Sequence, residues 1–333
     1  MPHSSLLTSY LWWTVSQRIL RQARRILSST PEVAAATATA LENAIMRRLL
    51  DRTITAPAQL FADLTVSQIA QGFQDVGRHE DEAFAVAEIL APLIRDIVRQ
   101  GPIAPVPEMS PRLTDDEIKY GDFRVARVPP IERLLRITAA RYGDADGLRH
   151  VVNASLRYAT VYARTRQIGP PQAVFDRFYE WGVRNEAFAS PFNARLLGRP
   201  DVGFFSVFPD TDGPLGSYGS FFSADHARFP GAWAIDPPFL SETIHQAEAI
   251  ITRMRSWTDA PAILLIVPTA HALSIAPDEA VQMTPGIHHY EGLDGQLRPL
   301  PIGVSIYRFG ELKGFNPREI LAGYLPEARA VAK

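Results

Sequence analysis

Apolar residues follow two different periods along the chain. In the first half they recur every three to four positions, the spacing of amphipathic helices, over residues 8–27, 33–52, 66–73 and 81–99. Pro92 is expected to kink or divide the last of these. In the first, Leu11, Trp12, Ile19 and Ile26 are expected to face inward, and Arg18, Arg21, Arg24 and Arg25 to face water. The stretch GPIAPVPEMSPRL, residues 101–113, carries four prolines and reads as a linker. After it IKYGDFRVARV reads as a short extended or hairpin element, followed by helices over 130–142, 147–166 and 171–182. Beyond residue 185 the apolar residues gather into short runs, EAFAS, VGFFSVF, GAWAID, AILLIVP, GIHHYE and IGVSIYRF, separated by loops and helices. Runs that can be buried on both faces, alternating with helices, predict a parallel or mixed sheet in an α/β domain. The clearest helix follows GAWAID, with Leu240, Ile244, Ala247, Ile251 and Met254 at helical spacing and Ser241 as its N-cap. The expected division is a helical region 1–110, a second helical region 111–184 packed on the catalytic domain, and an α/β domain 185–333.

Composition narrows the chemistry more than the fold. The 333 residues are 46% hydrophobic and 21% charged, with a formal net charge of −2, an ordinary globular balance that points to no particular partner. No cysteine is present, which excludes disulfides, thiolate zinc sites and a cysteine nucleophile. The longest apolar runs, such as PAILLIVP, fall far short of the roughly 20 residues of a membrane span. An intracellular protein of nucleus or cytoplasm with no membrane partner is expected. The first 30 residues are rich in Ser and Arg and precede the first acid, Glu32, so an organelle-targeting segment is the alternative to an amphipathic first helix. Arg24, Arg25, Arg47, Arg48 and Arg52 would supply a basic surface for a nucleic-acid backbone, or a solvated helix face.

The motif with chemical content is Asp236-Pro237-Pro238-Phe239, placed between a strand and a helix at the position where open α/β sheets bind ligands. Methylating an exocyclic amine requires that the nitrogen be held while it becomes tetrahedral and be aligned with a methyl donor. The Asp236 carboxylate and the Pro237 carbonyl can accept its two N–H bonds, the prolines fixing the carbonyls without offering donors. Phe239 offers a stacking face, worth about 1–3 kcal/mol on such platforms. The same string also makes an ordinary strand terminus.

Two upstream segments add specificity: Glu186 followed by Phe188-Ala189-Ser190-Pro191-Phe192-Asn193, then Phe208-Pro209-Asp210-Thr211-Asp212-Gly213 with Gly216-Ser217-Tyr218-Gly219. In order and spacing, these and DPPF resemble the catalytic region of the phosphorylated-CTD-interacting-factor family, which includes cap-specific adenosine N6-methyltransferases. The family pattern is an acid before FASPLN, then FPDTDG and GSRG, then NPPF. The resemblance is strong over residues 170–310 and weaker from about 118; residues 1–110 match nothing, and no WW domain is seen. Asp236 stands where the family has Asn, and Tyr218 where it has Arg; both departures bear on cap specificity. Asp-Pro-Pro-aromatic occurs in other adenine N6-methyltransferases.

The resemblance implies a Rossmann-like class I methyltransferase domain preceded by an all-helical region, and S-adenosyl-L-methionine as donor. It implies N6-methyladenosine formation in RNA, with the cap-adjacent adenosine of mRNA as the specific case. DNA adenine, or nucleic-acid binding without catalysis, is the alternative. Asp236, Pro237, Pro238 and Phe239 would be catalytic. Ser190, Pro191, Asn193, Asp210, Asp212 and Gly213 would bind the cofactor, Ser190 and Asn193 at its amino-acid moiety and the acids at ribose hydroxyls or the ammonium. DTDG also makes an Asx-rich turn, and it lacks the later ligands of a calcium loop, so no metal is expected. GSYGS, residues 216–220, reads as a flexible segment near the site, and one of His288 and His289 as a lining residue of the base pocket.

Overall fold

The computed structural model describes residues 2–51, 57–103, 110–163 and 167–326. The chain divides into two compact units, one of Met1–Arg127 with Leu135–Arg166, the other of Val128–Leu134 with Gln167–Lys333.

In the first unit the helical period holds. Helices α1 (Pro2–Ile26), α2 (Pro31–Asp51), α3 (Pro57–Ala62), α4 (Val66–Gln74) and α5 (Glu80–Gln100) are followed by strands β1 (Arg112–Leu113), β2 (Glu117–Tyr120) and β3 (Phe123–Ala126), an antiparallel sheet. Helix α4 starts on a capping box in which Thr65 and Gln68 satisfy each other's backbone N–H at 3.2 and 3.1 Å. Its Gly72 is required, because a Cβ there would stand 2.1 Å from the Ala40 carbonyl oxygen of α2.

Several expectations are corrected here. Helix α5 runs unbroken through Pro92; its buried stripe of Ala83, Val86, Ala87, Leu90, Ala91 and Ile94 holds the helix in one piece despite the missing N–H. The inward face of α1 is Leu6, Tyr10, Val15, Ile19 and Ala23, while Ile26 is 47% exposed. Tyr10 turns the face, since its ring meets Tyr120 edge-on at 5.3 Å. Arg18 is not simply solvated: it donates to the carbonyls of Ile97 and Gly101 at 2.6 and 3.1 Å, satisfying the C-terminal end of α5. The basic surface is partly neutralised within this unit, as Arg47 pairs with Asp75 and Arg48 with Asp63; Arg24 and Arg25 are exposed. Arg52 and residues 104–109 of the proline-rich linker lie outside the described residues.

Helix α6 (Pro129–Tyr142) is shared between the units, and α7 (Asp144–Thr160) belongs to the first. The second unit continues with α8 (Gln172–Glu180), β4 (Val183–Ala187), β5 (Gly203–Phe204), the short α9 (Pro209–Asp212), β6 (Ala232–Ile235), α10 (Ser241–Arg255), β7 (Ile263–Pro268), β8 (Glu279–Met283), β9 (His289–Glu291), β10 (Leu297–Pro299), β11 (Val304–Phe309) and α11 (Pro317–Gly323). Six strands form a mixed sheet in the order β5-β4-β6-β7-β11-β8, parallel from β5 to β7 and antiparallel where β11 meets β7 and β8. The α/β expectation holds at this level. β8 and β10 are additions to the expected strands: β8 buries only Val281 and Met283 and β10 buries none of its residues, so neither carries an apolar run. The N-cap of α10 is Leu240, held extended after the proline pair, and Ser241 is already helical.

The central strands are apolar on both faces because both are covered. Trp233, Ile235, Ile263, Leu265 and Val267 pack with Ile244, Ala247, Ile251 and Met254 of α10. Ala232, Ala234, Leu264 and Ile266 face the other way, with Val174, Phe175 and Phe178 of α8 and Ile320 and Tyr324 near α11. A register shift in β4 between Val183 and Asn185 breaks strict alternation, so Val183 joins the second cluster while Ala187 joins the first. Among the described residues no helix is long and apolar enough to cross a membrane.

Ile251→Ala, which empties a fully buried position between α10 and the sheet, is expected to lower stability by about 2–5 kcal/mol. Ile26→Ala should change it by less than about 0.5 kcal/mol. Urea unfolding of the two variants checks both the burial and the corrected face of α1.

Candidate active site at the strand ends

Strand order reverses at β4: the chain first adds β5 on one side and then β6 on the other. Such a reversal opens a crevice at the carboxyl ends of the strands. The register pairs Ala187 with Ile235 and Glu186 with Phe204. The segments starting at Phe188, Phe205 and Asp236 therefore leave the sheet side by side, and the three sequence motifs meet at one edge.

The turn after β4 is strained and then closed on itself. Phe188 has φ +64°, a region that side chains other than glycine seldom adopt, and its ring is wedged against Phe221 and Phe222 at 5.1 Å. Ser190 accepts from the backbone N–H of Phe192 and Asn193 at 3.2 Å, and its hydroxyl bonds Gln167 and Asn193. The Asn193 carbonyl oxygen in turn accepts from the Ser190 backbone N–H at 2.6 Å. Ser190, Pro191 and Asn193 thus shape the loop, with most of their polar groups engaged inside it.

The loop continues onto a buried carboxylate. Glu186 accepts from the backbone N–H groups of Arg195 and Leu196, both at 3.0 Å. Arg195, also buried, donates to the Glu291 carbonyl at 2.9 Å and lies 3.8 Å from its carboxylate, which accepts from the Gln172 N–H at 3.0 Å. Burial pushes the Glu186 carboxyl up to about 7, against the two N–H groups and the guanidinium groups of Arg195 and Arg133.

Asp236 leaves β6 on the Ala234 side of the sheet, next to this cluster, and keeps partial contact with solvent. Its carboxyl is pushed up to about 8, first by loss of water and then by the negative charge of Glu186, with Arg195 opposing. Of the two carboxyls Glu186 therefore ionises first as pH rises, because two N–H groups stabilise its charge. The Pro238 carbonyl accepts from Leu240 N–H at 2.6 Å, whereas the Pro237 carbonyl accepts no hydrogen bond from the described residues. Phe239 is half-buried against the α8 side cluster.

The acids of FPDTDG part company. Asp212 is fully buried at the end of α9 and accepts from the Thr211 hydroxyl at 3.2 Å, while Asp210 is exposed. Gly213 follows with open space where a Cβ would stand. The segment expected to be flexible is tied down: Tyr218 N–H donates to Phe204 at 3.0 Å and Ser206 N–H to Gly219 at 2.9 Å, extending the sheet beyond β5. Gly216 and Gly219 make this possible with φ of 104° and 90°. His288 is buried, its Nδ1 2.8 Å from the Thr284 carbonyl, and His289 lies in β9.

Sequence reasoning missed Arg195, Glu291, Tyr290 and Tyr324. The signals for the first two are faint: a lone cation in the apolar string NARLL, and an acid closing GIHHYE. Tyr324 carries none. Burial, and after it the charge of Asp236, raises the hydroxyls of Tyr290 and Tyr324 well above the usual phenol range.

No curated protein matches the chain. A model of the family described as "Phosphorylated CTD interacting factor 1 WW domain" matches residues 136–282. Although that description names a WW domain, the matched residues of this chain run from α6 into β8 and contain the parallel strands β4, β5, β6 and β7 with all three motifs. The match covers less than half of the chain and shows that this segment is similar to the phosphorylated-CTD-interacting-factor family.

Proposed function

We propose that the protein is an S-adenosylmethionine-dependent adenine N6-methyltransferase acting on RNA. The observation that carries this reading is the placement of Asp236-Pro237-Pro238-Phe239 at the carboxyl end of β6, beside the reversal of strand order, with the Pro237 carbonyl unengaged. A Rossmann-like methyltransferase fold is part of the reading, supported by four parallel strands followed by an antiparallel β11 between β7 and β8. The family match supports a cap-related role in RNA modification, and the cap-adjacent adenosine of mRNA is the proposed specific substrate.

The donor set fits the cofactor. An exposed carboxylate at Asp210 and open space at Gly213 suit ribose hydroxyls or an ammonium, the fully buried Asp212 would shape the turn that presents them, and the closed loop of Ser190, Pro191 and Asn193 would hold the amino-acid end. When bound, S-adenosylmethionine supplies an electrophilic methyl group on a positively charged sulfur. Asp236 and the Pro237 carbonyl accept the two N–H bonds of the adenine amino group and turn its lone pair outward, and Phe239 stacks on the ring. As the nitrogen gains positive charge, the Asp236 carboxylate opposes it and takes the proton released.

Asp236→Ala should abolish methyl transfer while calorimetry still detects cofactor binding; full activity in that variant would rule out the assigned role. Mass spectrometry of nucleosides after incubation with capped RNA, uncapped RNA and DNA identifies the substrate, capped RNA being expected to carry the most N6-methyladenosine. No cofactor binding by the folded wild-type chain would favour nucleic-acid binding without catalysis.

The pH dependence follows from the site. Asp236 is neutral below about 8 and becomes the stronger, purely accepting carboxylate above it, so kcat/KM should rise from pH 6 to pH 9. Glu186→Gln removes the neighbouring charge and should move that rise to lower pH. Asp236→Asn should flatten it, since an amide does not titrate; a rise that persists in this variant would assign the titration to another group.

A further inference from the structure

The proposed amine clamp leaves the rest of the acceptor base unread, and beside it lie two tyrosines that the clamp does not use. Tyr290 is 4% exposed in β9, and Tyr324 is fully buried just after α11. Their ring centroids are 6.0 Å apart with planes inclined by 32°, and His288 meets both rings edge-on at 6.1 Å. The hydroxyls of both tyrosines and Nε2 of His288 are buried with no hydrogen-bond partner among the described residues. Buried polar atoms are nearly always paired, because water lost on burial must be replaced. Three orphaned atoms in one cluster therefore mark a place built for polar groups that come from outside the chain.

The surroundings narrow what those groups belong to. The Asp236 carboxyl is close enough for its charge to act on both phenols, and Phe239 packs against the apolar cluster that contains both rings. His288 is oriented by its bond to Thr284, and the β9 backbone by the bond from Arg195 to Glu291 and by that from His289 N–H to the Tyr324 carbonyl at 2.9 Å. Rigid aromatic walls ending in hydroxyl donors, beside an acceptor for an amine, suit a flat heteroaromatic ring that carries both an amino group and ring nitrogens. Adenine presents two such nitrogens, N1 and N7, one on each side of its amine, whereas cytosine presents one.

Resting on the reading of Asp236 as the amine clamp, we propose that Tyr290 and Tyr324 are specificity-determining residues whose hydroxyls donate hydrogen bonds to ring nitrogens of the acceptor adenine. A site built to donate to a ring nitrogen discriminates strongly against an analogue that lacks it, because the donor is then left buried and unpaired.

The test is equilibrium binding, without cofactor, of a short RNA with a single adenosine, and of the same RNA carrying 1-deazaadenosine or 7-deazaadenosine at that position. Tyr290→Phe and Tyr324→Phe keep the rings and remove only the hydroxyls, and their unfolding midpoints confirm that they fold. Wild type is expected to bind the adenosine RNA roughly 10-fold or more tightly than at least one deaza RNA. A Phe variant should close that gap by weakening the adenosine RNA alone. Equal affinity of wild type for all three RNAs, or a gap that survives in both Phe variants, overturns the proposal; survival would mean that the hydroxyls serve only an ordered water or the packing. Methyl transfer measured on the same RNAs separates the two readings. A gap that closes in a Phe variant without any transfer by wild type counts against the methyltransferase and for this proposal, whereas transfer without a gap does the reverse.

Discussion

The carboxylate of Glu186 sits at the end of β4 with almost no access to water, and the arrangement of the site follows from how it is satisfied. Its two partners are backbone N–H groups of Arg195 and Leu196, which must fold back toward the strand to reach it. Hydrogen bonds to a charged group contribute about 1.5–3 kcal/mol, enough to fix the whole loop from Phe188 to Leu196. That fold-back brings the Arg195 guanidinium to the end of β9, where it holds Glu291 and so the neighbouring Tyr290. The same negative charge acts across to β6 and adds to burial in raising the Asp236 carboxyl. One buried acid thus fixes a loop and a strand and biases the protonation of the residue on which the proposed chemistry turns.

The sheet supplies the rigidity that such a cluster needs. Trp233 and Ile235 face α10 while Ala232 and Ala234 face α8 and α11, so β6 is clamped from both sides and Asp236 emerges in a fixed direction. The irregularity in β4 lets Glu186 stand opposite Ala234 while Ala187 packs under α10. Strain at Phe188, of order 1–3 kcal/mol for such a conformation, is offset by its two aromatic contacts and by the hydrogen-bonded turn that follows.

Much of this was legible from residue order alone, for reasons that are local. The helical period marked α1, α2, α4 and α5, the apolar runs marked the central strands, and FASPFN, FPDTDG and DPPF each follow one of those runs. Where the reading failed, a through-space partner had overruled a local tendency. Tyr10 meets Tyr120 edge-on and rotates the buried face of α1; the packed stripe of α5 overrides Pro92; and hydrogen bonds to Phe204 and from Ser206 immobilise the glycine-rich segment around Tyr218. β8 has only Val281 and Met283 buried, too little apolar pattern to announce a strand.

The sequence by itself determined which groups stand at the ends of the strands, because strand ends follow from short-range pattern and from the turn chemistry of proline, serine and asparagine. Only the tertiary structure decided what those groups are like. It made Asp236 and Glu186 neighbours, placed Arg195 between Glu186 and Glu291, and brought Tyr290 and Tyr324 into the same cluster from opposite sides of β11 in the sequence. Desolvation and charge interaction depend on distance in space, and the residues that set them here lie from 9 to 96 positions apart along the chain.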